Sequence, residues 1–112
     1  MKENFVYHLA TPEQWAAAQE RGVYEHPSLA MEGFIHTSTV AQIEKTANRY
    51  YLSFPSLFIL YVRIDEVPHP LIFESSSSGE MFPHIYGPIP LKAITRAREV
   101  KRTEQGIYSF EV

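Results

Sequence analysis

Cysteine is absent from the 112 residues. That removes a disulfide framework, a thiolate nucleophile and any thiolate-ligated metal from consideration. Basic runs are absent too: Arg96, Arg98, Lys101 and Arg102 are scattered and the net charge is −3. Duplex nucleic acid, which is gripped through a basic footprint, is therefore not an expected partner. No apolar run approaches the ~20 residues of a membrane-spanning helix. Met1-Lys2-Glu3-Asn4-Phe5 also lacks the apolar centre of a secretory leader. A cytoplasmic chain with no membrane partner is the expectation. There are no internal repeats, and low complexity is confined to Ser75 to Ser78. What remains is the size of a single domain, 1–112, able to bury a conventional core without staples.

Several elements announce themselves through local chemistry. Asn4 to Ala10 reads as a strand with Phe5, Tyr7 and Leu9 on one face and Val6, His8 and Ala10 on the other. Thr11-Pro12-Glu13-Gln14 starts a helix, with Thr11 as N-cap, proline at the first helical position and Gln14 closing a capping box; Gly22 stops it. Val23 to Met31, interrupted by Pro27, reads as a connecting loop with room for one helical turn. Phe34 to Thr39 reads as a short strand placing Phe34, His36 and Ser38 on one side. Ser38 or Thr39 is then the expected cap of a helix from about Val40 to Tyr51, with Val40, Ile43 and Ala47 on its apolar face.

The most apolar run, Ser56 to Asp65, is expected to be a central strand covered on both faces. A short strand at Leu71 to Glu74 follows the Pro68–Pro70 loop. The last 19 residues, Ile94 to Val112, are expected to form a hairpin turning near Thr103 to Gly106. Two helices in the first half and strands dominating the second give an α+β layout with a mostly antiparallel sheet.

The residues with chemistry to offer are concentrated in Gly79 to Pro90. Prolines stiffen that stretch, and a strand there puts Glu80, Phe82, His84 and Tyr86 on one face. His84 and Tyr86 would then lie about 7 Å apart and could flank one ligand group, whereas Glu80 at about 13 Å from His84 is too far for a dyad. His8, His36 and His84 all sit on strands beside hydroxyl-bearing or aromatic neighbours. No His-x-x-x-His spacing supports a metal, so none is expected. Ser38 is about 7 Å along the strand from His36 with no elbow motif around it, which argues against a nucleophile triad. The start of the second helix, with His36, Thr37 and Ser38, could instead receive a phosphate through free N–H groups. Arg49 would join it only by turning towards His36. Against these stands the plain alternative of capping hydroxyls and half-buried histidines in an ordinary scaffold.

Four stretches taken together resemble a bacterial family known as domain of unknown function 952. They are Tyr7-His8-Leu9-Ala10-Thr11, Gly33-Phe34-Ile35-His36-Thr37-Ser38-Thr39, Ala47-Asn48-Arg49-Tyr50-Tyr51 and Gly79-Glu80-Met81-Phe82-Pro83-His84-Ile85-Tyr86-Gly87-Pro88. The resemblance spans about residues 5 to 95. It implies a split α+β sheet similar to that of the ADP-ribosyltransferases, including the RNA 2′-phosphotransferase branch. It further implies that His8 contacts a ribose hydroxyl and that His36, Thr37 and Ser38 form a second polar motif. Glu80, His84 and Tyr86 would supply carboxylate and aromatic contributions, and NAD is the cofactor it suggests. Three functions remain open: an enzyme on a nucleotide or ADP-ribose-type ligand, a non-catalytic module binding a small anion, and a partner-binding scaffold.

Overall fold

In the computed structural model, which describes residues 4–112, the most apolar run of the chain is the middle strand of a three-stranded sheet. Met1 to Glu3, the head of the stretch read for a leader, lie outside the described residues. The element order is β1 (Phe5–Ala10), α1 (Pro12–Arg21), β2 (Val23–Tyr24), α2 (Pro27–Glu32), β3 (Ile35–His36), α3 (Ile43–Tyr50), β4 (Ser56–Arg63), β5 (Leu71–Ser75), β6 (Met81–Ile85), β7 (Ile89–Pro90) and β8 (Ile94–Lys101). The strands form sheets ordered β1-β4-β8 and β3-β6-β5 and a small β2-β7 pair, all antiparallel. The described residues thus form an α+β fold, with three α-helices among them. No helix among the described residues is long and apolar enough to cross a membrane.

The alternation in β1 and β4 divides the interior in two. Val6, Ala10, Leu60 and Val62 point into a core shared with Trp15 and Ala18 of α1. Tyr7, Leu9, Leu57 and Ile59 point into a second core under Ile43 and Ala47 of α3. The central sheet is therefore covered on both sides, as a near-continuous apolar strand requires. α1 begins as its sequence dictates: Thr11 Oγ1 accepts the Gln14 N–H at 3.1 Å and Gln14 Oε1 accepts the Thr11 N–H at 2.9 Å.

Three local expectations give way to tertiary contacts. The 23–31 stretch is not merely a loop; it contributes β2, paired with β7, and the helix α2. Its N-cap is His26, whose Nδ1 accepts the Ser28 N–H at 3.1 Å. Neutral imidazole performs there the acceptor role usual for Asp or Ser. α3 begins at Ile43, later than expected, with Gln42 at the cap, because Ser38 is drawn into the sheet. Ser38 exchanges backbone hydrogen bonds of 2.8 and 2.7 Å with Tyr7 of β1, and this bridge joins the two large sheets. The terminal hairpin stops after one pairing, from the Thr103 N–H to the Ile107 carbonyl at 2.7 Å. Gly106 closes a turn on Thr103 as expected, but residues beyond it dock on α3 instead of pairing with β8. Asn48 takes both backbone groups of Tyr108 at 2.8 Å, and Glu44 accepts the Phe110 N–H. A side-chain amide here offers the donor and acceptor that a neighbouring strand would have supplied.

Candidate functional site

The seam where β1 meets β3 opens into a cleft of about 600 Å³, and His8, His36 and His84 all line it with Thr37 and Ser38. Its placement follows from the folding of β3. Gly33, in the left-handed region at φ 90°, ends α2 and turns the chain back into the strand. Ile35 and His36 then pair with Ile85 and His84 of β6, so the two histidines stand directly opposite each other on one face. Their rings are 5.2 Å apart and nearly perpendicular. Phe34 stacks on His84 at 4.0 Å and meets the His36 ring edge-on at 4.9 Å.

Each of these two imidazoles is held by a carboxylate. His36, half exposed, places Nε2 2.7 Å from Glu32 Oε1 at the end of α2. His84, nearly buried, places Nδ1 2.7 Å from Glu74 Oε1 on β5. Tyr86 donates its hydroxyl to the same Glu74 oxygen at 2.6 Å. Those two hydrogen bonds, Tyr86 first, hold the Glu74 carboxyl below the usual carboxylate range. The same bond raises the Tyr86 phenol. His84 and Tyr86 thus do share one acidic group, and that group is a side chain of this protein. An ionised carboxylate on Nδ1 fixes the ring tautomer and leaves Nε2 without a hydrogen-bond partner among the described residues. His36 likewise keeps Nδ1 without a hydrogen-bond partner among the described residues.

His8 behaves differently. It is 2% exposed, with Nδ1 2.6 Å from the His36 carbonyl and Nε2 2.6 Å from the Tyr24 hydroxyl. A carbonyl only accepts, so Nδ1 carries the hydrogen and Nε2 accepts the Tyr24 O–H. Desolvation pushes the imidazole down to about 3, with the neighbouring His26 and His36 adding to the shift and the backbone bond opposing it. His8 is therefore a neutral clamp on β3. Both nitrogens are engaged by protein atoms, which leaves none for the ribose hydroxyl that the family resemblance implies.

The remaining candidates divide between two places. Thr37 is buried and donates Oγ1 to the Pro83 carbonyl at 2.7 Å. Thr46 Oγ1 gives its hydrogen to the Gln42 carbonyl, so Ser38 Oγ is the donor in the 3.2 Å contact between the two hydroxyls. Ser38 therefore does not cap α3. Glu80 and Arg49 lie outside the cleft, in a small adjoining hollow with Lys45 and Gln42. Glu80 accepts from Gln42 Nε2 at 3.0 Å and lies 3.6 Å from Lys45 Nζ, while Arg49 sits over the Tyr50 ring. The hollow adjoins the cleft through Thr46, Tyr50 and Phe82, which line both.

Glu32, Glu74, Phe34 and Ser75 to Ser77 were not among the sequence candidates, yet Glu32, Phe34 and the serines line the cleft and Glu74 orients His84. Glu74 carried one usable signal, a lone carboxylate ending an apolar strand. Glu32 carried none, because Gly33 breaks the helical spacing that would relate it to His36. No group of three His, Asp or Glu side chains among the described residues is arranged to hold a metal ion.

Relatives with this architecture are known. The crystal structure of protein CC0527 from Caulobacter crescentus superposes with a TM-score of 0.84 at 27% identity, covering 94% of this chain and 93% of that one. A double mutant of that protein gives a TM-score of 0.83 at 27% identity over the same shares, 94% and 93%. Its solution NMR structure gives 0.80 at 28% identity, covering 93% and 90%. No curated protein matches the sequence. The family described as "Protein of unknown function (DUF952)" matches residues 9–97, and the chain belongs to it.

Proposed function

We propose that the cleft at the sheet seam binds and processes a nucleotide or ADP-ribose-type ligand, on a split sheet organised like that of the ADP-ribosyltransferases. One observation carries the reading: two histidines, each oriented by its own carboxylate, turn towards a single cleft lined by aromatic rings and hydroxyls. Aromatic faces suit a base, hydroxyls and imidazoles suit a sugar and its phosphate, and the volume lies within the usual range for small-molecule sites. The adjoining hollow offers Lys45 and Arg49 to a more distant phosphate. NAD is the first cofactor to try, and a cytosolic setting goes with this reading. In it, His8 acts through the β3 backbone without touching the ligand.

The engagement of both His8 nitrogens favours a second reading, a module that binds a small anion without turnover. Titration of NAD, ADP-ribose and AMP into isotope-labelled protein tests the common premise. Amide shifts clustered at Phe34, His36, His84 and Ser75 to Ser77 are expected, weakened by His36→Ala. Silence from those amides at millimolar ligand would sink the nucleotide reading, and the same silence towards inorganic phosphate would sink the second.

A further inference from the structure

We infer that His36 and His84 are an acid–base pair for a phosphate ester, and that the substrate class is a nucleoside cyclic phosphodiester opened by water. The inference rests on the nucleotide reading of the cleft and narrows it from binding to one kind of bond. Facing positions in the antiparallel pair put both rings on one side of the sheet, 5.2 Å apart. Each ring has one nitrogen tied to a carboxylate and one without a partner among the described residues. Displacement at phosphorus needs such an arrangement, since one proton must leave the attacking oxygen while another reaches the departing one.

The alternative bond is the glycosidic one, which calls for a carboxylate facing the ribose. Glu32 and Glu74 both spend an oxygen on an imidazole, and Glu80 lies in the adjoining hollow bound to Gln42 and Lys45. The carboxylates of this site therefore serve the histidines. Exposure separates the two roles. His36 is half exposed and within reach of water; His84 is enclosed beneath Phe34 on a carboxylate that Tyr86 keeps ionised.

The step balances with water as the only co-reactant. Water oxygen bonds to phosphorus while the ring P–O bond breaks; the water proton goes to Nδ1 of His36, and His84, which enters the step doubly protonated, gives its Nε2 proton to the departing ribose oxygen and keeps the Nδ1 proton on Glu74. Nothing is oxidised or reduced, and the product is a phosphomonoester.

The test incubates the full chain with adenosine 2′,3′-cyclic phosphate and follows phosphorus NMR between about pH 5 and 9. Appearance of adenosine monophosphate with a bell-shaped rate profile is expected. His36→Asn and His84→Asn should each lower the rate by about 10²- to 10⁴-fold and remove one limb of the profile. Tyr86→Phe, which keeps the ring and the fold, should lower it by less. Amide shifts on addition of the cyclic phosphate or AMP with no hydrolysis at any pH would overturn this inference while leaving the nucleotide reading intact. Hydrolysis that survives in both histidine variants would also overturn it. Absence of any nucleotide binding would remove the two together.

Discussion

The two large sheets are built alike, three antiparallel strands each, yet they hold together by different means. In β1-β4-β8 every buried residue is apolar or aromatic except His8, and two cores press on the sheet from both faces. In β3-β6-β5 the contacts around the site are Phe34 on His84, His84 and Tyr86 on Glu74, and Glu32 on His36, while Ile72, Phe73 and Met81 stay exposed. Apolar burial is non-directional and adds with area, whereas imidazole–carboxylate contacts at partial exposure contribute little to stability and much to orientation. The first sheet is packed on both faces; the second joins the core through Ile35 and Ile85 and carries its chemistry at His36 and His84 beside them.

Leu60→Ala gives the sharpest form of this comparison. Leu60 is fully buried in the middle strand, and its truncation should cost about 2–5 kcal/mol in urea unfolding. Ile72→Ala on the outer strand of the other sheet, where the side chain is 45% exposed, should cost within about 0.5 kcal/mol. Equal losses at the two positions would erase the distinction.

The same contrast governs what could be read from the chain. β1, α1 and β4 follow from alternation, a capping box and an apolar run, all of them local signals, and the structure matches them. The site does not follow from such signals. His36 and His84 were visible as unusual strand histidines, but the carboxylates that orient them come from the end of α2 and from β5. Only the β5–β6 register, which pairs Ile72 with His84, brings Glu74 within reach. The same limit explains the C-terminal tail. Tyr108, Phe110 and Val112 alternate like a strand, yet Asn48 and Glu44 of α3 compete successfully for its backbone.

A second test works at the junction between the frame and the site. Gly87 follows Tyr86, and a Cβ there would lie 2.3 Å from the His69 ring. The requirement is space, since the ring packs over the bare glycine while the Tyr86 N–H bonds the Pro70 carbonyl at 2.9 Å. Gly87→Ala should destabilise by about 1–3 kcal/mol through overpacking. Adding His69→Ala should restore most of the loss, a coupling measurable by a double-mutant cycle. Additive losses would show that the ring contact is not the cause.

An effect that grows with acidity belongs to His8, the polar exception among the buried residues of the frame sheet. Its folded value is pushed down to about 3 from an ordinary 6.5. Between those values the unfolded chain binds a proton that the native state refuses, so stability falls as pH drops through that window. The slope approaches about 1.4 kcal/mol per pH unit well below 6.5 and levels off below about 3. His26, lowered in the same direction by burial, adds to it. Urea midpoints between about pH 7 and 5.5 precede most carboxylate titration and isolate the histidines. His8→Gln should start less stable, because Tyr24 loses its acceptor geometry, yet it should show a flatter slope. An unchanged slope in that variant would mean that His8 takes up its proton in the folded state. The link from β1 through His8 to the backbone of His36 would then be a charged one.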